Sequence, residues 1–124
     1  LIHGYINVYC SSAEVYHLGS ATSGSRYNAF KARLTARNNL LLIYKNMPLL
    51  QLILNLPFIS IGFLVKYLFY ARKGLGRFYK EGIAAGIKEI KSTKKVLFSY
   101  KNIISYFKIQ WLLIKNVFVM AFRR

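Results

Sequence analysis

Asn46-Met47-Pro48-Leu49-Leu50-Gln51-Leu52-Ile53-Leu54-Asn55-Leu56-Pro57-Phe58-Ile59-Ser60-Ile61-Gly62-Phe63-Leu64-Val65 crosses the middle of the chain without one charged residue. A helix needs about 20 apolar residues to span a bilayer, so this run sets membrane length as the first expectation. Pro57 removes a backbone donor from its middle, while Gln51 and Asn55 put amides on its surface. These features favour a kinked helix that dips into one leaflet and returns over a full span. Lys45 stands before the run, and Lys66, Arg72 and Lys73 stand after it. Basic residues at both ends set no orientation by the excess of cytoplasmic Lys and Arg.

Downstream, Gly74-Leu75-Gly76 reads as a loop. Phe78, Ile83, Ile87 and Ile90 then outline a short amphipathic helix, loosened by Gly82 and Gly86. Lys88, Lys91, Lys94 and Lys95 cluster around Ser92-Thr93, a natural turn. A last helix keeps Leu97, Tyr100, Ile104, Phe107, Trp111, Ile114 and Phe118 on one face. Lys94, Lys101, Lys108 and Lys115 recur every seven residues along the edge of that face. Lysine stems placed there lie on apolar surface while their ammonium groups reach phosphate.

Upstream of the central run, Phe30, Leu34, Asn38, Leu41 and Leu42 fall at helical spacing, with Asn46 and Pro48 marking the end. Further back, Tyr5-Ile6-Asn7-Val8-Tyr9 and Ala13-Glu14-Val15-Tyr16-His17 read as two short strands broken by Ser11-Ser12. A small-residue loop from Gly19 to Ser25 follows. Two short strands need a sheet to join. This chain supplies none, and it begins at Leu1 rather than Met, so a piece of a longer protein is expected.

Composition narrows the chemistry. The 124 residues fit one domain or less, with 19 Lys+Arg against 3 Asp+Glu and a net charge of +16. The acids are Glu14, Glu81 and Glu89 and there is no Asp, which removes most acid–base pairs and oxygen-ligand metal sites. Cys10 is the sole cysteine, so neither an internal disulfide nor a cysteine-rich zinc site is possible. A hydrophobic fraction of 55% beside that charge points to anionic lipid as partner. Nucleic acid ranks below it, because a single-faced lysine stripe adjoins a near-transmembrane run. His17 and the Gly-Ser-Ala-Thr-Ser-Gly loop are the remaining candidates for chemistry, through a ring nitrogen and backbone N–H groups. Both also read as ordinary structural features, and the loop fits no Walker pattern.

Val15-Tyr16-His17-Leu18-Gly19-Ser20-Ala21-Thr22-Ser23-Gly24, followed by Arg37-Asn38-Asn39-Leu40-Leu41-Leu42-Ile43-Tyr44-Lys45-Asn46-Met47-Pro48, resembles the C-terminal part of bacterial family 2 glycosyltransferases, the rhamnosyltransferase-like group in particular. The resemblance implies an α+β fragment, predominantly helical, in which the two N-terminal strands are orphaned from a GT-A sheet. Residues 1–26 would end the catalytic domain, 27–48 form an Arg-Asn helix, 49–73 a kinked helix that dips into or spans the membrane, and 74–124 basic amphipathic helices. It implies sugar transfer from a nucleotide-sugar donor to a polyprenyl-linked or saccharide acceptor of the cell envelope, at the cytoplasmic face of the bacterial inner membrane. His17 would help hold a divalent metal, magnesium or manganese, and Ser20, Thr22 and Arg37 would lie near the diphosphate. The family's acidic metal motif and catalytic base are missing, so no catalytic residue is expected within the fragment, which should be inactive alone. The alternative is a free-standing basic membrane-binding protein without catalysis.

Overall fold

A computed structural model describes residues 8–14 and 24–122. They fall into two compact units, one within residues 16–96 and the other drawn from 1–15 and 97–124. The first unit holds three helices: α1 (Ala29–Asn46), α2 (Leu49–Arg72) and α3 (Gly76–Ile90). The second holds a 3-10 turn at Tyr100–Asn102 and α4 (Ile103–Phe122).

Each boundary in the first unit has a local cause. Asn28 caps α1, its side-chain oxygen accepting from the Lys31 N–H at 2.8 Å. Met47 N–H closes the helix on the Ile43 carbonyl, and Pro48, which cannot continue a helix, becomes the N-cap of α2. At the other end of α2, Gly74 takes the left-handed conformation at φ +72°. Leu75 N–H then reaches back to the Tyr70 carbonyl at 2.8 Å and Gly74 N–H to that of Ala71 at 2.9 Å, the Schellman pattern. α2 runs unbroken as helix through Pro57.

α1 and α3 form the scaffold, and they do so through small residues. Ala32 and Ala36 on α1 are fully buried, and Gly82 and Gly86 are buried on α3. A Cβ at Gly82 would stand 2.9 Å from both the Ala36 Cβ and the Arg33 Cα, and closer still to the Arg33 carbonyl oxygen. A Gly-x-x-x-Gly seam therefore meets an Ala-x-x-x-Ala seam with the backbones nearly touching. Phe30 and Leu42, which the helical spacing pointed inward, are exposed instead. The pairing of Arg33 with Glu81 and of Arg37 with Glu89 shows that α1 and α3 run parallel.

α2 returns antiparallel between them in the chain. Tyr70 donates its hydroxyl to Thr35 Oγ1 at 3.4 Å, and the Phe69 ring meets Tyr27 edge-on at 5.3 Å. Tyr79 of α3 is fully buried and stacks on Tyr70 with ring centroids 5.2 Å apart. Burial, with a smaller contribution from Tyr70, pushes the Tyr79 phenol up to about 12. Its hydroxyl has no hydrogen-bond partner among the described residues. After α3, Val96 N–H donates to the Lys45 carbonyl at 2.9 Å, bringing the chain back to the end of α1.

The expected N-terminal strands are corrected here. Residues 8–14 are exposed and irregular, with a turn at Ser11-Ser12 and Ala13 N–H on the Cys10 carbonyl at 3.4 Å. The rest of both segments, residues 5–7 and 15–17, lies outside the described residues. No strand occurs among the described residues, so the described architecture is helical rather than α+β. Alternation alone does not make a strand where no partner edge exists to accept its backbone groups.

Two substitutions test the seam. Gly82→Ala should lower stability by about 1–3 kcal/mol, since overpacking against backbone outweighs a helix-propensity gain of about 1 kcal/mol. Gly62→Ala, where a Cβ meets nothing within 4 Å, should show the propensity gain alone. Urea unfolding in detergent micelles, followed by circular dichroism, reads both. By the same measurement Tyr79→Phe should stabilise by about 1 kcal/mol, because it deletes a buried, unsatisfied hydroxyl.

Candidate functional site

Of the residues singled out in the sequence, His17, Ser20 and Thr22 lie outside the described residues. Arg37 is well placed to be read. It projects from α1 toward α3, where Nε and Nη2 donate to the two carboxylate oxygens of Glu89 at 2.7 and 2.6 Å. Its Nη1 donates to Asn38 Oδ1 at 3.1 Å. Such a two-bond fork is the strong form of an Arg–carboxylate pair. The guanidinium that the resemblance assigned to a diphosphate is thus engaged by an internal anion.

A second pair repeats the arrangement one turn away. Arg33 holds Glu81 Oε2 through Nε and Nη2, both at 2.7 Å, and Arg77 holds the other carboxylate oxygen at 3.0 Å. The hydrogen bond from Arg37 draws Glu89 below the usual carboxylate range, and that from Arg33 does the same for Glu81. Glu89 reciprocally raises Arg37. With both carboxylates on arginines, no group of three metal-donating side chains exists among the described residues. His17, the metal ligand that the resemblance implies, lies outside those residues.

The larger feature is the surface of α2. Leu50, Ile53, Leu54, Leu56, Ile61, Leu64 and Val65 are all more than half exposed, whereas Gln51 and Asn55 are 7% and 6% exposed. Asn55 Nδ2 donates to the Gln51 carbonyl at 2.7 Å, within its own helix. Polar residues inside and leucines outside is the reverse of a water-facing helix, and the distribution expected where lipid is the solvent. Among the described residues α2 is the one helix long and apolar enough to cross a membrane. An open groove of about 210 Å³ lies between α1 and α2, lined by Asn39, Leu42, Ile43, Ile59, Gly62, Phe63 and Lys66. Asn39 Nδ2 is buried without a hydrogen-bond partner among the described residues.

Aromatic–cation pairs stand at both ends of α2. Lys73 Nζ sits 4.4 Å above the Tyr27 ring and 5.1 Å from that of Phe69, and Lys80 Nζ lies 4.9 Å from Tyr67. Near the α1–α2 turn, Lys95 Nζ lies 4.7 Å from the Tyr44 ring and donates to the Tyr44 carbonyl at 2.8 Å. In the second unit, Tyr106 is buried against Phe98, their centroids 4.6 Å apart, and its hydroxyl oxygen accepts from Ser99 N–H at 3.4 Å. Ile104, Phe107, Trp111 and Phe118 of α4 are exposed together with Lys101, Lys108 and Lys115.

Sequence reasoning missed the Arg–Glu pairs and the small-residue seam. The signals were present: Gly82-Ile83-Ala84-Ala85-Gly86 carries two glycines four apart, and the chain's three acids include two within nine residues of each other on α3. No protein-family model, curated protein or solved structure matches this chain.

The ion pairs set an acid dependence. Because the folded carboxylates titrate below their unfolded values, their contribution is complete above the unfolded pKa and is lost as pH falls through the folded one. Thermal melting between neutral and strongly acid pH should therefore show the melting temperature dropping below the ordinary glutamate range. Glu89→Gln should melt lower at neutral pH and lose less on acidification; an unchanged acid slope would remove Glu89 from the cause.

Proposed function

We propose that this chain is the membrane-docking, C-terminal portion of a glycosyltransferase similar to family 2, which transfers a sugar from a nucleotide-sugar to a lipid-linked or saccharide acceptor of the cell envelope. The observation that carries the membrane half is the inverted burial of α2, with Gln51 and Asn55 inside and leucines outside. The enzymatic half is supported by the series Val15-Tyr16-His17, Ser20 to Gly24 and Arg37-Asn38-Asn39. In this proposal the cytoplasmic face of the inner membrane is the working surface, and α2 with its flanking lysines holds the catalytic part beside its acceptor. The nucleotide-binding half and the acidic residues of catalysis come from sequence outside these 124 residues.

One observation favours the second reading, a basic membrane-binding protein without catalysis. Arg37, the cation expected at the diphosphate, is held through Nε and Nη2 by the two carboxylate oxygens of Glu89. In that reading His17 is structural.

Nucleotide-sugar binding separates the two. A protein carrying its upstream coding sequence should bind a nucleotide-diphosphate sugar in the presence of manganese, and His17→Ala should weaken that binding at least about 10-fold, the effect typical of losing a residue at a metal centre. Residues 1–124 alone should show no sugar transfer above a no-protein control. Undiminished nucleotide binding in His17→Ala, or a start codon immediately before Leu1, would leave the non-catalytic reading standing.

A further inference from the structure

The length and apolarity of α2 suit a membrane crossing. Its attachment to α1 and α3 does not. α1 and α2 form a helical hairpin closed at Met47-Pro48, with Thr35 opposite Tyr70 and Tyr27 against Phe69. In such a hairpin the depth of one helix fixes the depth of the other. If α2 entered at one face and left at the other, α1 would cross beside it. α3 would follow, since it is sealed to α1 along the glycine seam and tied to its end by Val96 and Lys95. Lys31, Arg33, Arg37, Glu81, Lys88 and Glu89 would then enter the hydrocarbon, where charged side chains are strongly disfavoured.

We propose that the three-helix unit rests on one leaflet of an anionic bilayer, with α2 lying in the plane of the headgroup–acyl boundary and α1 and α3 on its aqueous side. This rests on the membrane half of the reading above. The stripe of α2 turned to the protein contains Gln51, Asn55, Phe63, Tyr67 and Tyr70, buried or half-buried. The opposite face, through Leu50, Leu54, Ile61, Leu64 and Leu68, is exposed and carries no charge. The occupant is fixed by charge complementarity. The chain carries +16, and Glu81 and Glu89 are already spent on arginines. Lys45 stands before the apolar face and Arg72 and Lys73 after it, placed to reach phosphate in the same leaflet, with Lys73 over Tyr27, Lys80 beside Tyr67 and Lys95 beside Tyr44 adding cations at the two ends. An in-plane helix buries its apolar face about 5–10 Å below the headgroups.

The test is a depth measurement on the full chain. Leu50→Cys, Ile61→Cys and Leu68→Cys, each in a Cys10→Ser background, place a fluorophore along about 27 Å of one exposed face. The labelled proteins are bound to phosphatidylcholine vesicles doped with phosphatidylglycerol, and quenched by lipids carrying nitroxides at graded depths. Equal, shallow depth at all three positions is the expected result. Ile61 deeper than the other two by about half the hydrocarbon thickness, roughly 15 Å, would overturn the in-plane placement while keeping membrane binding. Failure to bind these vesicles at all, with helical circular dichroism retained, would overturn the membrane reading itself. Oriented circular dichroism of the unlabelled chain on the same lipids gives the tilt of the helices without any substitution, and helices along the bilayer normal would equally sink the proposal.

Discussion

The near-contact of the α1 and α3 backbones at Gly82 and Ala36 is the constraint on which the first unit depends. With no side chain between them, two helices of modest hydrophobicity pack closely enough for Arg33 and Arg37 to reach across to Glu81 and Glu89. Exposed ion pairs of this kind add little stability by themselves. What they add here is register, because each fork accepts one carboxylate and a helix slid by one turn would leave both charges unmatched. Tyr79, carried on the same helix, then fills the space against Tyr70 and attaches the end of α2.

This arrangement explains how an apolar helix comes to be so poorly covered. In a water-soluble three-helix domain the most hydrophobic element occupies the centre. Here the centre is made of alanine, glycine and tyrosine, and α2 contributes one stripe to it while its leucines face outward. The unit thus forms its core from small residues and leaves its strongly apolar surface uncovered.

The sequence made some of this readable and not the rest. The charge-free run from residue 46 to 65 announced a membrane-length helix because hydrophobic length is a local property. The seam was not seen because a search for large apolar residues at helical spacing passes over alanine and glycine; Phe30 and Leu42 drew the eye and are exposed, while Ala32 and Ala36 are buried. Gly82 and Gly86 read as weak points in a helix and turn out to be its closest contacts. The partners of Arg33 and Arg37 lie 48 and 52 residues away, a separation that no local pattern reports. Strand alternation in Val8-Tyr9 and Ala13-Glu14 misled for the opposite reason, being a local preference that needs a distant partner to be realised. The candidate site was legible only as a resemblance around His17, Ser20 and Thr22, and of its residues Arg37 alone falls within the described structure.

The same sequence separation has a consequence for how the protein is made. Arg33 leaves the ribosome 48 residues before Glu81. At about 5–20 residues per second, α1 waits roughly 2–10 s for the helix that completes its seam, with α2 emerging in the interval. The leucine face of α2 is therefore offered to the surroundings ahead of any finished core. A nascent chain stalled between α2 and α3 would expose that face with no core behind it, and would be the species most in need of a chaperone or, on the proposed reading, of the bilayer.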